Sequence, residues 1–288
     1  MAIKGIRIKD FLVFKGDFTA DFCKGINVFV GANSTGKTTL MNCMYFHKSK
    51  KPNSIVTKSM NSTTVVTDDA DNSNYVFIPE KDMLSHSKGL LALWKERNIP
   101  FHETEIDIVS KAQLEDTREI TPNALKFVDR IKKEIGGEVL YEDDVFYVKK
   151  ESGKKVAFPL EASGFRKLGL LWKLLRNGLL EKDSVLFWDE PENSLNPELV
   201  PLLVEILLEL SQSGVQIFLA THSEILADYI STLKNTDDSV MFYSMYKNGD
   251  SIKYDSSERF DLLKPNNLTE QPVKLYEAKL DRGLGHAD

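Results

Sequence analysis

The chain has 288 residues, 42% of them hydrophobic and 28% charged, with a net charge of −6. This suits a globular protein that buries a core in one large α/β domain or two smaller ones, and it excludes a surface that is basic throughout. No window approaches the roughly 18 uninterrupted apolar residues of a spanning helix, Met1 to Arg7 lacks the apolar stretch of a secretory leader, and Cys23 and Cys43 have no metal-ligand spacing, so a reducing cytoplasm is expected.

Ile6-Arg7-Ile8-Lys9 alternates like an edge strand with one face buried. Phe11, Phe14, Phe18 and Phe22 follow, read mainly as core aromatics, one of which could stack on an adenine ring. Ile26 to Val30 reads as a buried strand and Leu40 to Phe46 as a helix. Between them, Gly31-Ala32-Asn33-Ser34-Thr35-Gly36-Lys37-Thr38-Thr39 fits the phosphate-loop pattern of Gly, four residues, then Gly-Lys-Thr without a mismatch. A glycine-relaxed turn feeding a helix N-terminus aims several backbone N–H groups at one phosphate. Lys37 adds a point charge for the β/γ-phosphates, and the Thr38 hydroxyl is placed to ligate Mg²⁺, so ATP and Mg²⁺ are the expected cofactors.

From Lys48 to Asn74 the chain turns polar and reads as surface loop around a short strand at Thr63 to Thr67. Asp69, Asp71, Ser73 and Glu80 fall at calcium-loop spacing, but Asn74 stands where the sharp turn wants Gly, so a solvated loop is preferred. Tyr75 to Ile78 reads as a second buried strand; Glu80 beyond it could serve a metal or water, or be a plain strand-end carboxylate. Met83 to Arg97, Glu105 to Leu114 and Ala124 to Ile135 read as helices. The last has Thr121 as cap, Pro122 at the first position, a face of Leu125, Val128, Ile131 and Ile135, and Gly136 at its close. Short antiparallel strands are expected at Val139-Leu140, Val145 to Val148 and Val156 to Phe158, with a turn at Glu151-Ser152-Gly153.

Ser184 to Trp188 is an apolar run ending in Asp189-Glu190, as in a strand buried on both faces of a parallel sheet. Its acids lie where open α/β sheets place their ligands. Taken alone they resemble helix-capping acids. Paired with the phosphate loop, Asp189 suits the Mg²⁺ shell and Glu190 the polarising of a water for attack on the γ-phosphate. Asn196 caps a helix from Pro197 to Leu210, and the strand Val215 to Ala220 delivers Thr221-His222-Ser223 to the same edge, where His222 could bond the γ-phosphate or the water. Ser163-Gly164 opens a helix with Leu168, Leu171, Trp172 and Leu175 on its apolar face; it is either a second phosphate-binding helix start or an ordinary N-cap. After Tyr229, strands are expected at Val240 to Tyr243 and near Ile252 to Tyr254, then a polar tail.

The order of phosphate loop, Ser-Gly helix, Asp-Glu strand, Ser194-Leu195-Asn196 turn and His222 resembles ATP-binding-cassette (ABC) ATPases. It is most similar to the RecF/SMC-like branch that includes the OLD ATPases and related AAA-domain proteins of bacterial defence. The resemblance covers residues 1 to about 235 and also rests on Phe11 to Phe14, Asn33-Ser34-Thr35, Phe165-Arg166 and Asp189 to Pro197. Phe165-Arg166 depart from the second half of the transporter signature Leu-Ser-Gly-Gly-Gln, Asn196 stands for the transporters' Asp, and Pro79-Glu80 for their Gln. The resemblance implies an α/β P-loop NTPase fold with a mostly parallel central sheet, an antiparallel N-terminal β layer and an inserted helical/β subdomain. Residues 1–80 and 160–245 would form the nucleotide-binding core, 81–159 the insert and 246–288 a C-terminal extension. It further implies catalysis by Glu190 and His222, nucleotide binding by Gly31, Asn33, Ser34, Thr35, Gly36, Lys37, Thr38 and Thr39, and metal ligation by Thr38 and Asp189. Ser163, Gly164, Arg166 and Asn196 would act in trans on the nucleotide of a second copy. The implied partners are a second copy in an ATP-dependent homodimer or higher oligomer and a separate effector, such as a nuclease or toxin. A transporter subunit or a DNA repair factor is the alternative; for DNA, the available basic clusters are Lys48, Lys50, Lys51, Lys149, Lys150, Lys154 and Lys155, which also suit solvated loops.

Overall fold

A computed structural model describes residues 2–49, 64–68, 74–97 and 99–284 of the chain. It opens with β1 (Ile3–Phe11), β2 (Phe14–Asp21), β3 (Ile26–Val30), α1 (Lys37–Lys48), β4 (Thr64–Asp68) and β5 (Tyr75–Ile78). The middle segment holds α2 (Leu90–Arg97), α3 (Glu103–Ala112), α4 (Pro122–Ile135), β6 (Gly137–Glu142), β7 (Val145–Lys150) and β8 (Lys155–Ala157). Then come α5 (Ser163–Arg176), β9 (Val185–Asp189), α6 (Val200–Gln212), β10 (Gln216–Thr221), α7 (Glu224–Leu233), β11 (Val240–Asn248), β12 (Ser251–Ser257) and α8 (Asn267–Leu284). The calcium-loop positions Asp69, Asp71 and Ser73, and the basic pair Lys50-Lys51, lie outside the described residues.

The central sheet runs β12-β11-β3-β10-β9-β5. Every pair in it is parallel except β11–β12, so the expected α/β fold with a mostly parallel sheet is present. The inner strands are continuous apolar runs because both faces are covered. Alternate side chains feed two cores. Ile26, Val28, Val30, Leu186, Trp188, Ile217 and Leu219 face one core, which α4 to α7 help to build. Phe29, Phe77, Phe187, Phe218 and Tyr243 face the other, with α1 and the antiparallel β2-β1-β4 layer. Those five rings form a row across the sheet: Phe77 to Phe187 is 6.1 Å, Phe187 to Phe218 5.0 Å, Phe218 to Phe29 6.2 Å and Phe29 to Tyr243 5.2 Å. Phe11, Phe14 and Phe18 are buried in the same core, which leaves them as packing residues rather than ring-stacking platforms. α1 is also tied to α3 by the Tyr45 hydroxyl, which donates to Asp107, itself ion-paired with Lys111.

Several local expectations change. β1 pairs on both sides, with β2 and β4, and is therefore the middle strand of its layer rather than an edge. The helix expected over Met83 to Arg97 is split. The Asp82 carboxylate accepts from the Leu84 N–H at 3.1 Å and turns a 3₁₀ segment at Leu84–His86. Gly89 then adopts φ +67° before α2 begins. α4 has the expected Thr121 cap, Pro122 start and Gly136 close, but it buries Ala124, Phe127, Val128, Ile131 and Ile135. Leu125, about a quarter-turn off that stripe, is 43% exposed. The Pro197–Leu199 turn is 3₁₀ and the α-helix starts at Val200. The tail expected to be merely polar forms α8, anchored through Leu268 against the core despite Pro272 inside it.

Buried Gln216 fastens the N-terminal layer to the sheet. Its amide accepts from the Ile3 N–H at 2.7 Å and donates to the carbonyls of Ile3 and Cys23 at 2.9 and 2.7 Å. Gln216→Leu keeps the volume but strands the buried Ile3 N–H and C=O, while the Cys23 carbonyl keeps Asn27 Nδ2 at 3.0 Å, so urea unfolding is expected to show a loss of about 2 kcal/mol.

Candidate active site

Register brings the chemistry together. Thr221 pairs with Val30, Ala220 with Asp189, and Trp188 with Ile78, so β3, β10, β9 and β5 end side by side. The next residues, Gly31, His222, Glu190 and Pro79-Glu80, therefore leave the sheet at one edge, the carboxyl edge where α/β sheets bind ligands.

The phosphate loop is shaped by two glycines. Gly31 has φ +144°, and a Cβ there would lie 2.3 Å from the Met245 carbonyl oxygen. Gly36 has φ +91°, and a Cβ would lie 2.9 Å from the side chains of both Val13 and Phe14. No larger residue fits either place without moving β11 or the β1–β2 hairpin. Thr35 Oγ1 donates to the Ala32 carbonyl at 2.8 Å, while Asn33 and Ser34 are exposed, Ser34 with φ +62°. Thr39 is half-buried on the first turn of α1. Lys37 is 5% exposed, and its ammonium donates to the Gly31 and Ala32 carbonyls at 2.8 and 3.1 Å. Burial pushes its pKa down to about 8, against the pull of Glu190, Asp189 and Glu192.

Thr38 Oγ1 donates to Asp189 Oδ2 at 2.9 Å, joining α1 to the end of β9. Burial holds the Asp189 carboxyl above its usual range, partly offset by that hydrogen bond. Glu190 sits in the left-handed region at φ +48°, with its N–H on the Ala220 carbonyl at 2.8 Å. Its carboxyl is also raised, by burial first and then by Glu80 and Glu192. His222 Nε2 lies 3.4 Å from Glu190 Oε1; burial, then Lys37, lowers its pKa, so the imidazole is neutral at pH 7. A hydroxyl and a carboxylate oxygen side by side are the hard ligands that suit Mg²⁺, and the glycine cradle beside a buried cation suits a polyphosphate, so the chain's own residues fit both groups. Three further side chains belong to this edge. Glu192 accepts from the Thr221 hydroxyl, Asn193 Nδ2 donates to Glu80 Oε1 at 2.9 Å, and Lys167 donates to the Glu190 and Asn193 carbonyls at 2.7 Å each. Glu192 and Asn193 stand in the motif already singled out; nothing local in the sequence marks Lys167.

The four residues expected to act in trans gather around the turn after Glu190. Ser163 is the exposed first residue of α5, not its cap, which is Ala162; its hydroxyl donates to the Ser194 carbonyl at 3.0 Å. Gly164 packs on Leu195, where a Cβ would approach the Leu195 side chain to 3.2 Å. Arg166 turns inward, donating to the Phe158 carbonyl at 3.3 Å and pairing with Asp82 at 2.9 Å. Asn196 Oδ1 caps the 3₁₀ turn by accepting from the Glu198 N–H at 3.3 Å. Of the basic cluster on the β7–β8 hairpin, Lys150 pairs with Glu161 at 2.6 Å and Lys155 with Glu142.

A family model described as "AAA domain, putative AbiEii toxin, Type IV TA system" matches residues 68–228, and one described as "AAA domain" matches residues 5–76. The chain is 22% identical over 208 residues to the histidine/lysine/arginine/ornithine transport ATP-binding protein of Escherichia coli, covering 70% of this chain and 72% of that relative. Its fold is similar to an Smc head bound to the C-terminal winged-helix domain of ScpA, with TM-score 0.56 and 12% identity over 89% of this chain and 98% of the other. It is also similar to an ATP-binding cassette of an ABC transporter in its ADP conformation, with TM-score 0.50 and 16% identity over 95% and 99%. No helix among the described residues is long and apolar enough to cross a membrane.

With the Lys37 pKa at about 8, a bound polyanion raises it again, so binding takes up a proton above that pH and none well below it. Affinity for ATP is expected to fall as pH rises through about 8. Isothermal titration in two buffers of different ionisation enthalpy should show net proton uptake on the alkaline side only.

Proposed function

The chain belongs to the AAA-domain family and is a P-loop ATPase of the ABC/SMC type, and from that premise we propose that it binds and hydrolyses ATP as a dimerisation switch for a separate effector. The observation that carries this reading is the convergence of Lys37, the Thr38–Asp189 pair, Glu190 and His222 on one sheet edge. Lys37 and the loop N–H groups bind the β/γ-phosphates, and Thr38 and Asp189 hold Mg²⁺, which supplies charge neutralisation on the phosphates. Glu190, with its raised carboxyl pKa, accepts a proton from the attacking water, and neutral His222 orients that water or the γ-phosphate.

Two copies would complete each site. Ser163 stands exposed at the start of α5, where the helix N-terminus can meet a phosphate held by another chain. The description of the matching family, "AAA domain, putative AbiEii toxin, Type IV TA system", lends support to an effector of the toxin or defence class. The Escherichia coli relative favours a second reading, the nucleotide-binding subunit of a transporter. Copurification with a spanning partner from washed membranes would establish that reading in place of the first. Stimulation of turnover by DNA, lost steeply with salt, would point to a repair factor instead.

Glu190→Gln is expected to lower turnover by roughly 10²–10⁴-fold while leaving ATP bound. Size-exclusion with light scattering should then find an ATP-dependent dimer, absent in Lys37→Ala. A Glu190→Gln chain that stays monomeric with ATP and Mg²⁺ rules out the sandwich.

A further inference from the structure

Glu190 must present its carboxylate from an unfavourable backbone conformation. A non-glycine residue at φ +48° keeps it only where surrounding contacts over-determine it. On one side the sheet does so, through the Glu190 N–H on the Ala220 carbonyl at 2.8 Å. On the other side the donor comes from α5. Lys167 Nζ donates to the Glu190 carbonyl at 2.7 Å and to the Asn193 carbonyl at 2.7 Å. The Asn193 N–H adds a second bond to the Glu190 carbonyl at 3.1 Å. An ammonium has three donors and no acceptor, which suits a site where two carbonyls converge. With the peptide groups before and after Glu190 both fastened, the direction of its side chain toward His222 is set. The same turn carries Asn193, whose side chain reaches Glu80, and Ser194, whose carbonyl accepts from Ser163. A cleft of ≈ 90 Å³ between these groups is lined by Glu80, Ser163, Arg166, Lys167, Asn193 and Ser194.

We infer that Lys167 is a positioning residue for Glu190: its ammonium holds the turn after β9 in shape and joins that turn to the helix that Ser163-Gly164 opens. A shift of α5 is thereby transmitted to the Glu190 carbonyl of the same chain. A ligand on the helix start in one half of a sandwich thus reaches the acid of the other site. This rests on the reading of Glu190 as the residue that activates water.

Lys167→Met keeps the apolar stem and removes the donors. The expected result is an ATP KM within about twofold of wild type and a kcat lower by about tenfold or more, a split that removal of a positioning contact produces and general loosening does not. Lys167→Arg, which keeps paired N–H donors, should recover most of the rate. Amide hydrogen exchange over residues 190–195 should quicken in Lys167→Met. In a Glu190→Gln background, Lys167→Met should lower kcat by less than about twofold further, because a residue acting through Glu190 has nothing left to position. Multiplicative losses in that cycle, or unchanged rate and exchange in Lys167→Met, overturn the inference. Should Lys167→Met fail to fold, Lys167→Gln takes its place in the same cycle and is judged by the same results. If the wild-type chain turns over no ATP, the ATPase reading falls, and exchange over 190–195 alone decides whether Lys167 holds the turn.

Discussion

The structure depends on the in-register parallel pairing of β11, β3, β10, β9 and β5. Because strand side chains alternate faces, a slip of one residue on β9 would send Phe187 to the helix-covered face and Leu186 into the aromatic row. The row of Phe77, Phe187, Phe218, Phe29 and Tyr243 makes that slip costly, since each buried aromatic contributes roughly 1.5–3 kcal/mol. The same pairing puts the last residue of each strand at one level. Asp189 reaches Thr38, and Glu190 meets His222, as a consequence of hydrophobic packing a few residues away.

At that edge charges are balanced rather than neutralised one by one. Lys37 is buried and satisfied by the carbonyls of its own loop, while Asp189, Glu190 and Glu192 surround it without a direct ion pair to any of them. Burial acts on both signs, lowering the lysine and raising the carboxyls of Asp189 and Glu190. A polyanion with its divalent cation would change all of these groups at once. Lys167 joins the turn after β9 to α5, and its neighbour Arg166 ties the same helix to Asp82.

The parts legible in the chain were those whose cause lies within a few residues. The phosphate loop needs glycine at Gly31 and Gly36 because both hold positive φ, a requirement of the loop itself to which the close approach of Met245, Val13 and Phe14 is added. The buried strands announce themselves because parallel strands covered on both faces cannot alternate. α4 carries its cap, its proline and its closing glycine in one stretch. Where contacts from elsewhere intervene, the reading shifts. Asp82 and Gly89 broke a helix that periodicity would have continued. Ser163, an apparent cap, instead donates to Ser194, 31 residues away.

Sequence alone therefore settled the kind of fold and the presence of a phosphate loop, because glycine freedom, apolar runs and helix punctuation act locally. Only the tertiary structure decided what stands beside what. It brought Asp189 to Thr38 across 151 residues and Glu190 to His222, and it turned Lys167 onto the Glu190 carbonyl and Arg166 inward to Asp82. Those pairings follow from strand order and helix packing, which no stretch of a few residues encodes.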